Sequence, residues 1–236
     1  MFSAMFLVNA VLQAVLFVWL VRIWRRTRAA AAAVLLIPQF FLIWDNSIVG
    51  SGQWIGFGEL LESLNWARFW AHWLFGSWLI VASGSILRLA GFRRAQQRWI
   101  MALFCLLTVG VVGYEVHGNW HATLMPVCEY DLLRYNTSVR AEHLCSPEQA
   151  VVPGGGAPLG PLVTVFVVIG VGAALALRRR FPWMLVGGIL MFISATPPLM
   201  RYKLDNFGEV MIAFGAIWAV AHFTSRDRTI RFRVGS

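Results

Sequence analysis

The chain has 236 residues, of which 58% are hydrophobic and only 13% are charged, about half the charged share of a soluble domain. This low charge content and a mean hydropathy of +0.66 exclude an ordinary soluble globular protein. The net charge of +9 does not indicate nucleic-acid binding, because the basic residues separate long apolar runs instead of forming one basic surface. The composition predicts an integral membrane protein whose partner is the lipid bilayer.

Seven apolar segments are candidates for membrane-spanning helices, each of which needs about 20 mostly apolar residues. They lie at about 3–22, 30–50, 66–87, 99–117, 160–177, 182–199 and 206–223. The sixth is the shortest and ends at Pro197 and Pro198. The sequence therefore predicts an all-α, polytopic protein in which residues 1–236 form a single seven-helix domain.

Basic residues mark one face of this predicted bundle. If the N-terminus lies outside, the inner side receives fifteen arginines and one acid, and the other ten acids lie on or near the outer side. The fifteen are Arg22, Arg25, Arg26, Arg28, Arg88, Arg93, Arg94, Arg98, Arg178, Arg179, Arg180, Arg226, Arg228, Arg231 and Arg233. Because cytoplasmic loops are rich in Lys and Arg, the N-terminus is predicted outside and the C-terminus inside. Nineteen arginines against one lysine are typical of a GC-rich bacterial genome, so we expect a bacterial plasma membrane.

The one long predicted connection, residues 118–160, lies on the outer side of this bundle. Its four prolines and the run Gly154-Gly155-Gly156 indicate irregular structure near its end. Cys128 and Cys145 both belong to it and would face the oxidising side of the membrane. The sequence therefore predicts a disulfide that closes this extracytoplasmic loop.

Ionisable side chains gather near the outer ends of four predicted spans. Such a group costs about 2.5 to 3.5 kcal/mol at a helix centre and is a functional candidate by default. The gathered residues are Asp45, Arg68, His72, Glu115, His117, His121, Arg201, Lys203, Asp205 and Glu209. We predict an outward-facing polar cavity with Asp45, His72, Glu115 and Asp205 as catalytic candidates. Interfacial salt bridges and helix caps are the alternative interpretation.

Aromatic and amide side chains near these groups are expected to bind a ligand. Trp73 and Trp78 lie deeper in the third span than Trp66, and an aromatic face in that position stabilises a cation. The predicted substrate-binding residues are Trp44, Asn46, Trp73, Trp78, Tyr114, His117, Arg201, Tyr202 and Asn206.

The first functional hypothesis is acid-initiated chemistry on an apolar polyene or epoxide. A carboxylic acid that is desolvated in a helix bundle keeps its proton more readily and can donate it to a bound alkene or epoxide. Aromatic faces would then stabilise the carbocation. This chemistry requires no cofactor.

The segment Trp44-Asp45-Asn46, followed by Gly52 and Trp54, resembles the Trp-Asp-Asn segment of membrane-bound lycopene cyclase domains of bacteria and fungi. The plan of seven short spans, with one acid in span two and one in span seven, is similar to the integral-membrane terpene cyclases of fungal meroterpenoid pathways. The resemblance implies an isoprenoid cyclase of isomerase or lyase type, in which Asp45 donates the proton and Asp205 is its counterpart in span seven.

Two other hypotheses remain open from the sequence. A zinc-dependent lipid hydrolase could use His72, His117 and His121 as metal ligands, and the seven-span plan is shared with ceramidase-like membrane hydrolases. A small transporter or receptor could bind its ligand in the same cavity. A retinal protein is disfavoured, because the only lysine, Lys203, lies at the mouth of span seven.

Overall fold

The computed structural model describes residues 1–153, 159–200 and 202–234, and within these ranges all side chains except Asp205 and those from 226 onward. The chain is mostly helical, at 76%. The helices are α1 Phe2–Thr27, α2 Ala30–Ile55, α3 Glu59–Phe75, α4 Trp78–Leu89, α5 Arg98–Asn119, α6 Leu159–Arg179, α7 Trp183–Ser194, α8 Pro197–Met200 and α9 Asp205–Val234. The strands are β1 Met125–Glu129 and β2 Leu132–Asn136.

Several of the described helices are long and apolar enough to cross a membrane. Among the described residues, α1, α2, α5, α6 and the Asn206–Ser225 part of α9 qualify alone, and α3 with α4 qualify together as one span bent by 41°. α7 has 12 residues, or about 18 Å of helix against a hydrocarbon core of about 30 Å. The predicted helical membrane-protein class is consistent with these five or six candidate spans.

Glycines allow close packing of α7 against α9. A Cβ at Gly187 would lie 2.5 Å from the carbonyl oxygen of Met211, and one at Gly215 would lie 2.7 Å from that of Trp183. Small residues let the backbones of two helices approach closely. Such close packing stabilises helix pairs in lipid, where the hydrophobic effect does not drive helices together. Since Trp183 meets Gly215 and Met191 meets Gly208, α7 and α9 run antiparallel.

The connection between α5 and α6 contains a β-hairpin that the sequence analysis did not predict. β1 and β2 are antiparallel, and Glu129 opposite Leu132 leaves a two-residue turn in which Tyr130 has a φ of 57°. The predicted disulfide between Cys128 and Cys145 is confirmed. It ties β1 to the segment that follows the short 3-10 helix Ala141–His143.

The hairpin packs on the ends of α1 and α2. Gly52 of α2 meets the hairpin backbone so closely that a Cβ there would lie 1.8 Å from the carbonyl oxygen of Leu133. Asp131 pairs with the N-terminal amine and accepts hydrogen bonds from the N–H groups of Phe2 and Ser3 at 3.0 and 3.1 Å. These contacts place β2 over the helix ends where the ionisable residues gather.

Candidate functional site

A cavity of about 390 Å³ lies between the hairpin and the candidate membrane-spanning helices. Its polar lining consists of Asp45, Arg68, His72, Ser77, Glu115, Arg134, Thr164, Asn206 and Glu209. Its aromatic lining consists of Phe6, Phe41, Phe69, Trp73 and Phe75. An amphipathic molecule fits such a cavity, since one part of the wall is ionic and another is apolar.

Asp45 of α2 contacts side chains of two other helices, α3 and α9. Its Oδ1 lies 3.4 Å from Nη1 of Arg68 and 3.1 Å from Nε2 of His72, both on α3. Its Oδ2 accepts a hydrogen bond of 3.2 Å from Nδ2 of Asn206 on α9. Arg68 and His72 are four residues apart and therefore share the face of α3 that looks toward α2. The structure thus brings together three predicted site residues, Asp45, His72 and Asn206.

His72, and not Asp45, is the more accessible member of this pair. The imidazole is 40% exposed, whereas the Asp45 carboxylate is 6% exposed and already has partners on both oxygens. Since Nε2 of His72 is engaged by Asp45, Nδ1 is the ring nitrogen left for a bound molecule. The arrangement lets Asp45 orient the imidazole and lets His72 exchange a proton with a ligand.

Two arginines of the cavity wall, Arg68 and Arg134, have buried hydrogen-bond donors. The side chain of Arg68 is 8% exposed, and its guanidinium lies 4.5 Å from the centre of the Phe69 ring. Within the described residues, the Nε atoms of Arg68 and Arg134 have no hydrogen-bond partner. A buried donor without an acceptor costs about 1 to 3 kcal/mol. An acceptor atom that reached these Nε–H groups would remove this cost.

The aromatic part of the cavity is built around Trp73. Its ring lies 5.9 Å from that of Phe69 and 5.2 Å from that of Trp70, and Phe41 stacks on Phe75 at 4.9 Å. These ring faces can hold an apolar chain and stabilise a positive charge that develops beside them.

A break in the third predicted span lies directly at the cavity. α3 ends at Phe75 and α4 begins at Trp78, and Gly76 and Ser77 between them both line the cavity. A Cβ at Gly76 would approach the carbonyl oxygen of His72 to 2.7 Å. Irregular backbone at membrane depth is tolerated where it lines a cavity, because its polar groups are then satisfied away from lipid.

Several predicted site residues do not line the cavity. The structure exposes Tyr114 and His117, because α5 turns Glu115 inward and successive helical residues are about 100° apart. Trp78 packs against Phe75 at 5.2 Å and is outside the lining, and Tyr202 is 64% exposed. These four residues therefore lie outside the lining of this cavity, and their predicted role in substrate binding stays a prediction.

The remaining predicted residues have other positions. Trp44 is half-buried outside the lining, and Asn46 is fully buried with its Oδ1 3.4 Å from Nδ2 of Asn206. Glu115 lines the cavity, and its Oε1 accepts a hydrogen bond of 2.9 Å from the Gly160 N–H. Arg201 lies outside the described residues, and so does the side chain of Asp205, whose backbone begins α9.

The histidines of the zinc hypothesis do not converge. His72 lines the cavity, whereas His117 and His121 are exposed outside it. Within the described part of the chain, no group of three His, Cys, Asp or Glu side chains is arranged to hold a metal ion.

Sequence reasoning missed the role of the hairpin in the site. Arg134 was assigned to an outer loop, but β2 carries it into the cavity wall, where Nη2 also donates to Oε2 of Glu129 at 3.0 Å. Glu129 is buried, and it pairs in addition with His143 and Lys203. Burial raises the pKa of Glu129, but Arg134 and the other cations outweigh it and hold the pKa below its usual value. The alternation that puts Leu132 and Arg134 on one face of a strand is the one sign of this placement, but five residues are too short a pattern to distinguish a strand from a loop.

The site is thus an Asp45–His72–Arg68 cluster in a cavity whose lining also contains aromatic side chains and which lies among candidate membrane-spanning helices. The chain matches no protein-family model and no curated protein sequence.

Proposed function

We propose that the protein is a membrane-embedded enzyme that performs acid–base chemistry on a lipid-soluble, isoprenoid-type substrate. In its simplest form the reaction is an acid-initiated cyclisation or isomerisation. The observation that carries the proposal is the 3.1 Å contact between His72 Nε2 and Asp45 Oδ1 in a cavity that is also lined by five aromatic side chains. An acid–base pair beside an apolar chain-binding wall fits this reaction class.

The proposed orientation has seven crossings, with the N-terminus and the hairpin on the extracytoplasmic side of a bacterial plasma membrane. The arginine excess at the opposite helix ends supports it. The Cys128–Cys145 disulfide in the hairpin region also supports it, because disulfides persist in oxidising compartments. α7 followed by α8 is the sixth of these seven crossings, since α7 runs antiparallel to α9 along their glycine contacts.

In the proposed mechanism the apolar chain of the substrate lies against Trp73 and Phe69. A protonated His72 gives its Nδ1 proton to the epoxide oxygen or to a double bond of the substrate. The electron pair of a second double bond forms the new carbon–carbon bond, and the positive charge moves to carbon beside the aromatic faces. Loss of a proton from a neighbouring carbon to the neutral His72 yields an isomer of the substrate. Asp45 positions the imidazole, which differs from the donor role that the cyclase resemblance implies for it.

A substrate panel tests this proposal. Purified protein in detergent is incubated with polyprenyl hydrocarbons and with their terminal epoxides, and the products are identified by gas chromatography and mass spectrometry. We expect a product with the mass of its substrate, and in D₂O one carbon-bound deuterium when a hydrocarbon reacts. Cleavage by water would contradict the cyclase and favour the hydrolase. Conversion of no member of the panel would also contradict it.

The bent third span favours a transporter as the second candidate. Discontinuous helices next to a midplane cavity are typical of secondary transporters, and α3 and α4 are separated at Gly76 and Ser77 in the cavity wall. Saturable uptake of an amphipathic anion into proteoliposomes, without chemical change, would support this candidate and contradict the enzyme.

A further inference from the structure

A second pocket, of about 890 Å³, lies far from the cavity along α4. The cavity is lined by Ser77, just before α4 begins, whereas the second pocket is lined by Gly91, just after α4 ends. Four arginines line it: Arg93, Arg94, Arg178 and Arg179. No acid is present among the described residues of its wall.

The four guanidinium groups are all positively charged, and no acidic side chain among the described lining residues neutralises them. Arg179 is held in place, because its Nη2 donates to the carbonyl oxygen of Gly91 at 2.8 Å and its guanidinium lies 5.3 Å from the Phe92 ring. Arg93, Arg94 and Arg178 are exposed and take part in none of the salt bridges that the described residues form. Converging like charges repel one another, and a bound anion would remove that repulsion.

The pocket continues as an apolar groove along α6. Gly170, Ala173, Ala174 and Leu177 line it, and their spacing of three and four residues puts them on one face of the helix. They cover about 10 Å of helix length. A Cβ at Gly170 would meet nothing within 4 Å, so the groove is open at that level.

We propose that this pocket binds an anionic phospholipid, with the phosphate of its head group among the four arginines and one acyl chain along the groove of α6. Charge complementarity selects the anion, and the groove, which enters the apolar part of a candidate span, selects a lipid over a soluble phosphate. The enrichment of arginine in cytoplasmic loops explains arginines anywhere on this face of the protein. It does not require that four of them surround one groove of small residues. The proposal does not depend on the chemistry of the cavity.

Native mass spectrometry of the protein released from nanodiscs tests this site. The nanodiscs contain phosphatidylglycerol and phosphatidylcholine with identical acyl chains, and the measured quantity is the ratio of the two lipids retained. We expect a clear preference for phosphatidylglycerol. The triple variant Arg93→Gln, Arg94→Gln, Arg178→Gln should lower this preference more than about tenfold, since it removes three of the four guanidinium groups that would contact the phosphate, and a hydrogen bond to a charged group contributes about tenfold.

A control variant of equal charge separates the pocket from the general basic surface. Arg22, Arg25 and Arg98 are exposed and do not line the pocket, and their joint replacement by Gln should leave the preference within about twofold. Gly170→Leu with Ala174→Leu fills the groove without changing charge and should also reduce retention. An equal loss in the two arginine triples, with both proteins monodisperse and helical, would overturn the proposal.

Discussion

The cavity and the second pocket accommodate charged side chains in opposite ways. The second pocket is called the arginine pocket below, because Arg93, Arg94, Arg178 and Arg179 line it. In the cavity, Asp45 and Arg68 are buried at 6% and 8% exposure, and each lies within a few ångströms of an opposite charge. In the arginine pocket, Arg93, Arg94 and Arg178 are exposed and have one sign. A buried charge without a partner is far more costly than an exposed one. Charge at the hairpin end therefore requires tertiary pairing, whereas the charge at the other end remains exposed to solvent.

The largest expected effect of a single substitution is on the chemistry of the cavity. His72→Gln keeps a polar side chain of similar size but removes the group that exchanges the proton, so conversion of the substrate should fall by about 10² to 10⁴-fold. Turnover by purified protein in detergent measures this effect. Glu59→Gln, at an exposed residue in the first turn of α3, is the matched control and should keep full activity. Undiminished turnover in His72→Gln would remove His72 from the mechanism.

Asp45→Asn tests the pairing that distinguishes the cavity from the arginine pocket. The substitution leaves Arg68 buried without its carboxylate, so we expect a loss of about 3 to 5 kcal/mol in the free energy of unfolding. Denaturation in mixed detergent micelles measures this loss. The double variant with Arg68→Gln should recover most of it, because no unpaired charge is then left. If both variants are as stable as the parent protein, the pair is not a stabilising feature of the cavity.

Gly52→Ala should detach the hairpin that covers the cavity. The new methyl group would lie 1.8 Å from the Leu133 carbonyl oxygen. This oxygen belongs to the backbone of the hairpin, so it cannot move aside by a side-chain rotation. We expect a destabilisation of about 1 to 3 kcal/mol, as for other overpacked positions. Limited proteolysis of the hairpin compares this variant with Gly113→Ala, whose added Cβ would meet no atom within 4 Å. Equal protection of the hairpin in both proteins would contradict the close contact.

The smallest expected effect is a pH dependence of hairpin attachment. Burial raises the pKa of Asp131, but hydrogen bonds from the N-terminal amine and from the Ser3 and Phe2 N–H groups outweigh it and lower the pKa to about 2. Because the folded-state value lies below the ordinary 3.8, the stabilisation is complete above about pH 4 and is lost as the pH falls toward about 2. Thermal unfolding at pH 2 to 6 should show this dependence, and Asp131→Asn should reduce it. An unchanged profile in the variant would assign the acid sensitivity to other groups.

Part of the site could be predicted from sequence because membrane insertion penalises ionisable residues. Asp45 and His72 stand in long apolar runs, and that alone makes them candidates. The disulfide followed from the position of Cys128 and Cys145 in one predicted outer loop. Neither inference needs the rotation of a helix about its axis.

The sequence analysis did not predict the features that depend on how a helix is rotated about its axis or on contacts between residues distant along the chain. Tyr114 and His117 belong to the same helix as Glu115, yet only Glu115 lines the cavity, because packing against the start of α6 sets the rotation of α5. Arg134 reaches the cavity only through a hairpin that the sequence analysis did not predict. A hairpin of five-residue strands has too short an alternating pattern to be distinguished from loop sequence.

The sequence by itself determined the class of this protein and the ends at which its charges lie, because hydropathy and charge act through the local cost of leaving water. The tertiary structure alone decided that His72 and Arg68 meet Asp45, that the third predicted span bends at Gly76, and that the hairpin covers the cavity. Those features depend on how helices pack and rotate against one another. Such packing is the sum of many weak contacts between residues that are distant along the chain.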